Sequence, residues 1–355
     1  MTNDPLNNNT PTKASEKRRL VIHAGPHKTA TTYIQENLFA ARDALARAGW
    51  LYPVDPIDNR TGQHGLTLHA EEYLLEDGAR RQILEDWARS AREGNQNILL
   101  SAESFCRWEA KNLDWLADIL GFDDYEIIYV IRDALDLFPS LWGEEVKHGR
   151  TAGFADRFAR ICLQPLQSRI LNPMLDVKPW LKNDRVRVHA VPFDLLKTRG
   201  ADIYCHITES ILHVHGLTPT AKGVINPKIA LEVTEFLRLI TLMHHDGQSH
   251  CGPELRIKFT EILTPELSDQ IKTEMLGDAR HARRNIPVRA NQGFQKTIEA
   301  NLKRQLTDAW SAEVGPDEPM FSYERRVFPY YNEFILSTVE PVRLMAEGIL
   351  QQING

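Results

Sequence analysis

The ten residues His23-Ala24-Gly25-Pro26-His27-Lys28-Thr29-Ala30-Thr31-Thr32 bring one glycine, one lysine and three threonines into a single short stretch. An apolar run, Leu20-Val21-Ile22, precedes them and a segment of helical spacing follows, so the stretch reads as a strand–loop–helix turn. The first turn of a helix has backbone N–H groups without intrahelical partners and carries the positive end of the macrodipole. An anionic phosphate suits such a place, and Lys28 adds a full positive charge beside it. Thr31 or Thr32 can offer a hydroxyl while capping the helix. The pattern is not GxxxxGK[ST], because Lys28 comes three residues after Gly25 and Ala30 occupies the next plausible glycine position.

Four short apolar runs read as the strands that position these groups, at 20–24, 97–101, 125–131 and 186–191. Alternation in the fourth places it at a sheet edge. Helical stretches separate the runs, which predicts parallel pairing through right-handed crossovers and an α/β fold with a central sheet flanked by helices. Ile34, Leu38, Ala41 and Leu45 fall on one face of a helix that Gly49 stops, and another helix ends near Gly94. Beyond about residue 205 no comparable strand signal appears. Ile229, Val233, Phe236, Ile240 and Met243 have helical spacing, as do stretches near 256–277, 296–311 and 331–351. This part reads as helices packed on the sheet. Residues 1–18, rich in Asn, Thr, Pro and charge, read as a disordered tail, leaving 19–355 as one domain with a helical C-terminal extension.

At 355 residues the chain can bury a large core without disulfides or a structural metal. Asp and Glu outnumber Lys and Arg by 48 to 42, a formal charge of −6 that argues against broad nucleic-acid or membrane-surface binding. Any anion site must therefore be built locally. Cys106, Cys162, Cys205 and Cys251 are scattered and lack metal-ligand spacing, so reduced thiols are expected. No apolar run approaches the roughly 18 residues of a membrane span, and the N-terminus lacks a signal-peptide pattern. A cytoplasmic protein without stable membrane insertion is the expectation.

Pro26-His27-Lys28-Thr29-Ala30-Thr31-Thr32 resembles the Pro-x-Lys-[Ser/Thr]-Gly-Thr-Thr loop of sulfotransferases that use 3′-phosphoadenosine 5′-phosphosulfate (PAPS). Ala30 replaces the glycine, as it does in some carbohydrate sulfotransferases. The run Ile127-Ile128-Tyr129-Val130-Ile131-Arg132-Asp133-Ala134-Leu135-Asp136-Leu137-Phe138-Pro139-Ser140 is similar to the family's second signature, a strand ending in Arg with Ser eight residues later. The run from Ser140 to Gly149 resembles the segment that follows in bacterial members. The resemblance covers roughly residues 20–195 in spaced pieces. It implies a P-loop-like three-layer fold, PAPS as sulfuryl donor and no metal. By resemblance, Gly25, His27, Lys28, Thr29, Ala30, Thr31 and Thr32 form the loop that cradles the 5′-phosphosulfate. Lys28 would contact the oxygen bridging to the leaving phosphate, and Thr31 and Thr32 the 5′-phosphate. Arg132 and Ser140 would hold the 3′-phosphate, for which a guanidinium fork is well shaped.

The acceptor, a hydroxyl or an amine, needs a general base. Glu103 ranks first, because it follows the second strand at the end where open α/β sheets bind ligands. His64, read as lying in a flexible loop between helices, ranks second, and His27 third. His281-Ala282-Arg283-Arg284 reads either as a solvated helix end or as a late basic contact to the 3′-phosphate. Phe321-Ser322-Tyr323-Glu324 and Phe328-Pro329-Tyr330-Tyr331 read either as core or as the lining of a sugar site. The acceptor stays open between a small molecule and a saccharide, the latter by family analogy alone. Two other readings compete. One is a P-loop kinase-like enzyme, with Glu103 as a magnesium-binding acid; the other is a non-catalytic nucleotide-binding module with no base near Lys28.

Overall fold

The computed structural model describes residues 17–220, 229–244, 254–288 and 293–354. Residues 1–16 of the expected tail, and Cys251, lie outside the described residues. Lys17 and Arg18 already belong to the folded part. Lys17 pairs with Asp124 at 2.6 Å, and the Arg18 guanidinium lies 4.9 Å from the Phe122 ring centre.

Five strands form the central sheet: β1 Leu20–His23, β2 Trp50–Leu51, β3 Asn97–Ser101, β4 Tyr125–Ile131 and β5 Val186–Pro192. They pair in the order β2-β3-β1-β4-β5, every pair parallel. Alternate residues serve opposite layers. Leu20 and Ile22 join Ile98, Leu100, Ile127 and Tyr129 in one core, while Val21 joins Leu99, Ile128 and Val130 in the other. A strand buried on both faces needs apolar residues at every position, which is why the run 20–22 has no polar alternation. Each such side chain contributes about 1.5–3 kcal/mol by leaving water. The second core includes Ile34, Leu38 and Leu45 from the helices after the loop.

The strand order decides where a site can form. β1 is central, with β3 on one side and β4 on the other, so the chain reverses its winding direction there. The segments leaving β1, β3 and β4 thus emerge together at the carboxyl edge of the sheet, carrying residues 24–30, Glu103 and Arg132.

β5 lies at the sheet edge, as its alternation predicts. Its exposed edge is partly covered: the Ala190 N–H donates to the Ala309 carbonyl at 2.7 Å, and the Ser311 N–H donates to the Ala190 carbonyl at 3.0 Å. The single helix expected after the loop is two, Thr31–Ala40 and Arg42–Arg47, and Gly49 then turns the chain with a φ of 82° into the short β2.

The expectation of an all-helical region beyond residue 205 is corrected. Helices Leu231–His244, Glu254–Ile262, Pro265–Leu276, Gly293–Gln305 and Glu340–Asn354 are present, but so is an antiparallel pair, β6 Arg283–Val288 and β7 Arg326–Tyr331. Each strand contains a proline, and β6 exposes most of its residues, so neither produces the apolar run that marks a buried strand. His281-Ala282-Arg283-Arg284 is a 3₁₀ turn running into β6 rather than a helix end. Phe328 is a core residue, with its ring 5.8 Å from Phe154 and 5.7 Å from Phe158. Cys106, Cys162 and Cys205 are free thiols. Among the described residues no helix is long and apolar enough to cross a membrane.

Candidate active site

The loop after β1 continues the ladder with β4 before it turns. The Ala24 N–H donates to the Ile128 carbonyl at 2.9 Å, and the Val130 N–H donates to the Gly25 carbonyl at 3.0 Å. Gly25 has a φ of 71°, and a Cβ there would sit 2.7 Å from the Glu103 carbonyl oxygen and 2.9 Å from Glu103 Cα. Glycine is required for both reasons. Gly25→Ala is expected to destabilise the protein by at least about 2 kcal/mol, since a left-handed non-glycine residue alone costs about 1–2 kcal/mol. Urea unfolding would check this, and unchanged stability would mean that the Glu103 backbone yields without cost.

Lys28 and Ala30 also adopt left-handed backbone, with φ of 67° and 65°. Ala30 thus has the conformation that glycine tolerates best, at the position where the resembling loop has glycine. Two hydrogen bonds hold the turn: Arg132 Nη1 donates to the Lys28 carbonyl at 2.6 Å, and Thr29 Oγ1 donates to the Pro26 carbonyl at 2.6 Å. Ala30 is the residue before the helix, and no side chain caps it. The N–H groups of Thr31, Thr32 and Tyr33 have no acceptor among the described residues. The expected capping by Thr31 or Thr32 is therefore corrected. Thr31 is buried and gives its hydroxyl proton to Glu103 Oε1 instead.

In front of this loop lies a cleft of about 910 Å³, near the top of the range of roughly 300–1,000 Å³ for small-molecule sites. His27, Lys28, Thr32, His64 and Glu103 all line it, so five expected residues meet in one place. The far wall comes from the helices Ala134–Lys147 and Phe154–Leu163 and the turn after them. Seven Lys and Arg side chains line the cleft against three Glu, which makes it locally positive within a net-negative chain.

Glu103 Oε2 lies 2.5 Å from His27 Nδ1, and its other oxygen accepts from Thr31. Burial opposes ionisation of this carboxyl most strongly. The His27 contact, the Thr31 hydroxyl and the nearby His64 together outweigh burial and hold its pKa at about 2. A carboxylate so acidic, with both oxygens engaged, is a weak proton acceptor. His27 is the better placed base: Glu103 fixes one ring nitrogen and leaves Nε2 available from a ring that lines the cleft.

His64 is not in a flexible loop. It opens the short helix His64–Leu68, with Nε2 3.2 Å from Gln35 Oε1, and burial lowers its pKa. Lys28 Nζ meets Glu144 Oε1 at 2.9 Å, and the same oxygen takes Lys147 Nζ at 2.6 Å. An anion entering the loop competes with Glu144 for Lys28.

Arg132 stacks 5.1 Å from the Phe193 ring centre, and its Nε is buried with no partner. The acids beside it in sequence do not consume its charge, because Asp133 and Asp136 pair with Arg326 at 2.6 and 2.8 Å. The Asp133 carboxylate also accepts from the Leu135 N–H and Gln295 Nε2, each at 3.0 Å, and from the Ser322 N–H at 3.1 Å. Arg132 lines a second pocket of about 70 Å³ that reaches Pro26, His27 and Thr29. Ser140 lies on the helix Ala134–Lys147 but lines neither cavity. Gln35, Glu144 and the cleft arginines escape the sequence reading. Arg157, Arg160, Ile161 and Gln164 do have the spacing of one helix face, but nothing in the sequence says which face meets the loop.

Among the described residues no group of three or more His, Cys, Asp or Glu side chains is arranged to hold a metal ion. No protein-family profile, curated protein or solved structure matches the chain. The geometry of the cleft therefore carries the functional reading.

Proposed function

We propose that the chain is a sulfotransferase with a P-loop-like donor site, moving a sulfuryl group from PAPS to an acceptor hydroxyl or amine. The observation that carries this reading is the loop itself. Its left-handed turns present an uncapped helix start, Lys28 and Thr32 to the same cleft that holds a His27–Glu103 pair. The donor substrate suits these groups. The free N–H groups of Thr31 to Tyr33 and the Thr32 hydroxyl would take the 5′-phosphosulfate oxygens. The buried, unpartnered Nε of Arg132 is an orphan for which the 3′-phosphate would supply an acceptor, with Ser140 assigned to the same phosphate by resemblance only.

In the proposed transfer the acceptor oxygen or nitrogen attacks sulfur, and the bond from sulfur to the 5′-phosphate oxygen breaks. The electron pair leaves with 3′-phosphoadenosine 5′-phosphate (PAP), and the acceptor proton moves to His27 Nε2. Lys28, released from Glu144, stabilises charge growing on the leaving oxygen. Glu103 keeps the His27 ring oriented and stabilises its charged form.

Calorimetric titration with PAP, AMP, ADP and ATP tests the donor assignment. Binding of PAP in preference to ADP is expected. Arg132→Ala should weaken PAP by about tenfold to a hundredfold, since a hydrogen bond to a charged group contributes about 1.5–3 kcal/mol. ADP affinity separates two roles of Arg132. An equal loss for ADP would mean that the guanidinium acts only through the Lys28 carbonyl. Preference for ATP with magnesium over PAP would sink the sulfotransferase reading in favour of a kinase-like one.

A further inference from the structure

The outer part of the cleft contains more positive charge than the loop can use. Its three carboxylates are already engaged: Glu103 with His27, Glu144 with Lys28 and Lys147, and Glu145 with Arg157 through two contacts of 2.9 and 2.7 Å. Arg60, Arg107, Arg150 and Arg160 also line the cleft, Arg107 reaching the second pocket as well; all four are exposed and make no ion pair among the described residues. They come from four separate segments: the loop after β2, the 3₁₀ turn after β3, the connection after the Ala134–Lys147 helix, and the Phe154–Leu163 helix. Beside them, Gln164 and Gln167 line the wall with amide groups that make no side-chain hydrogen bond among the described residues.

We infer that this outer part is an acceptor subsite for an acidic saccharide, one carrying carboxylate, sulfate or phosphate groups among its hydroxyls. The word acceptor rests on the sulfotransferase reading; the anion specificity does not. Guanidinium forks match the planar or tetrahedral oxygens of such groups, and free amides suit hydroxyls. The whole chain is net negative, so attraction of an anion has to come from these local arginines rather than from a long-range field.

The test titrates the full chain, saturated with PAP, with size-defined hyaluronan and chondroitin sulfate oligosaccharides, neutral maltooligosaccharides and phosphatidylserine vesicles. An acidic oligosaccharide should bind at least about tenfold more tightly than a neutral one, and its affinity should fall as salt rises. The double variant R150A/R160A should lose about tenfold or more of that affinity while binding PAP within about twofold of the parent. Both residues are exposed, and retained PAP binding certifies the fold. Equal binding of neutral oligosaccharides, no binding of any acidic one, or no effect of the double variant would overturn the proposal. So would a parallel loss of PAP affinity, which would assign these arginines to the donor, or binding to vesicles alone, which would assign them to a membrane surface. If the parent binds acidic oligosaccharides but not PAP, the donor reading fails and the anion subsite stands.

Discussion

Lys28→Ala is expected to lower the rate of PAP release from PAPS by about a hundredfold to a thousandfold, the usual cost of removing one preorganised group that stabilises transition-state charge. The loss should fall on kcat rather than on the affinity for PAP, because the charge that Lys28 meets grows as the sulfur–oxygen bond breaks. The fold should survive. Lys28 Nζ and Lys147 Nζ share one Glu144 oxygen, so Lys147 remains as its counterion after the substitution. Stability is expected to change by no more than about 1 kcal/mol, the scale of a partly exposed ion pair. Single-turnover kinetics separates the cases: a rate within tenfold of the parent would remove Lys28 from the chemical step.

Glu103→Gln is the second large effect. The substitution preserves shape but removes the charge that orients His27 and stabilises it once protonated, so a fall in kcat of about 10²–10⁴ is expected. His27→Ala should cost a similar factor, and the double variant should cost little more than either alone. Additive losses would show that the two residues do not act as a unit. The same carboxylate has a stability signature. Its pKa drops from the ordinary 4.5 to about 2 on folding, because His27, Thr31 and His64 outweigh the opposing burial. A depressed folded pKa contributes stability that is complete above 4.5 and is lost as pH falls toward 2. The parent should therefore be more stable than Glu103→Gln near neutrality, and the gap should close across that acidic window in urea titrations.

Much of the scaffold was legible because it rests on local signals. The apolar run of β1, a glycine and a helical repeat were enough to place the loop, and the emergence of Glu103 after β3 followed from where strands end in an α/β sheet. What stayed hidden depends on contacts across the chain. Glu103 read as a base because it follows β3 at the edge where open sheets bind ligands; only the fold brings His27 and Thr31 onto its two oxygens, 76 and 72 residues away. Ser140 has the expected spacing from Arg132, yet its place on the Ala134–Lys147 helix leaves it outside both cavities. β6 and β7 were missed because prolines and exposed polar residues conceal a strand whose partner lies some 40 residues away. The charge of the cleft was invisible for a related reason: a net of −6 averages over surfaces that the fold keeps apart.

The Asp133–Arg326 contact also bears on how the protein is made. Asp133 is fully buried immediately after Arg132, and its carboxylate depends on donors from residues 295, 322 and 326. Synthesis delivers the loop after β1 and the central strands long before those donors leave the ribosome. Until then the nascent chain has a carboxylate at the head of the Ala134–Lys147 helix with no cation to match it. The Arg132 end of the site is thus completed by residues translated well after the loop, and a chain cut short before Arg326 lacks the guanidinium that pairs with this buried acid.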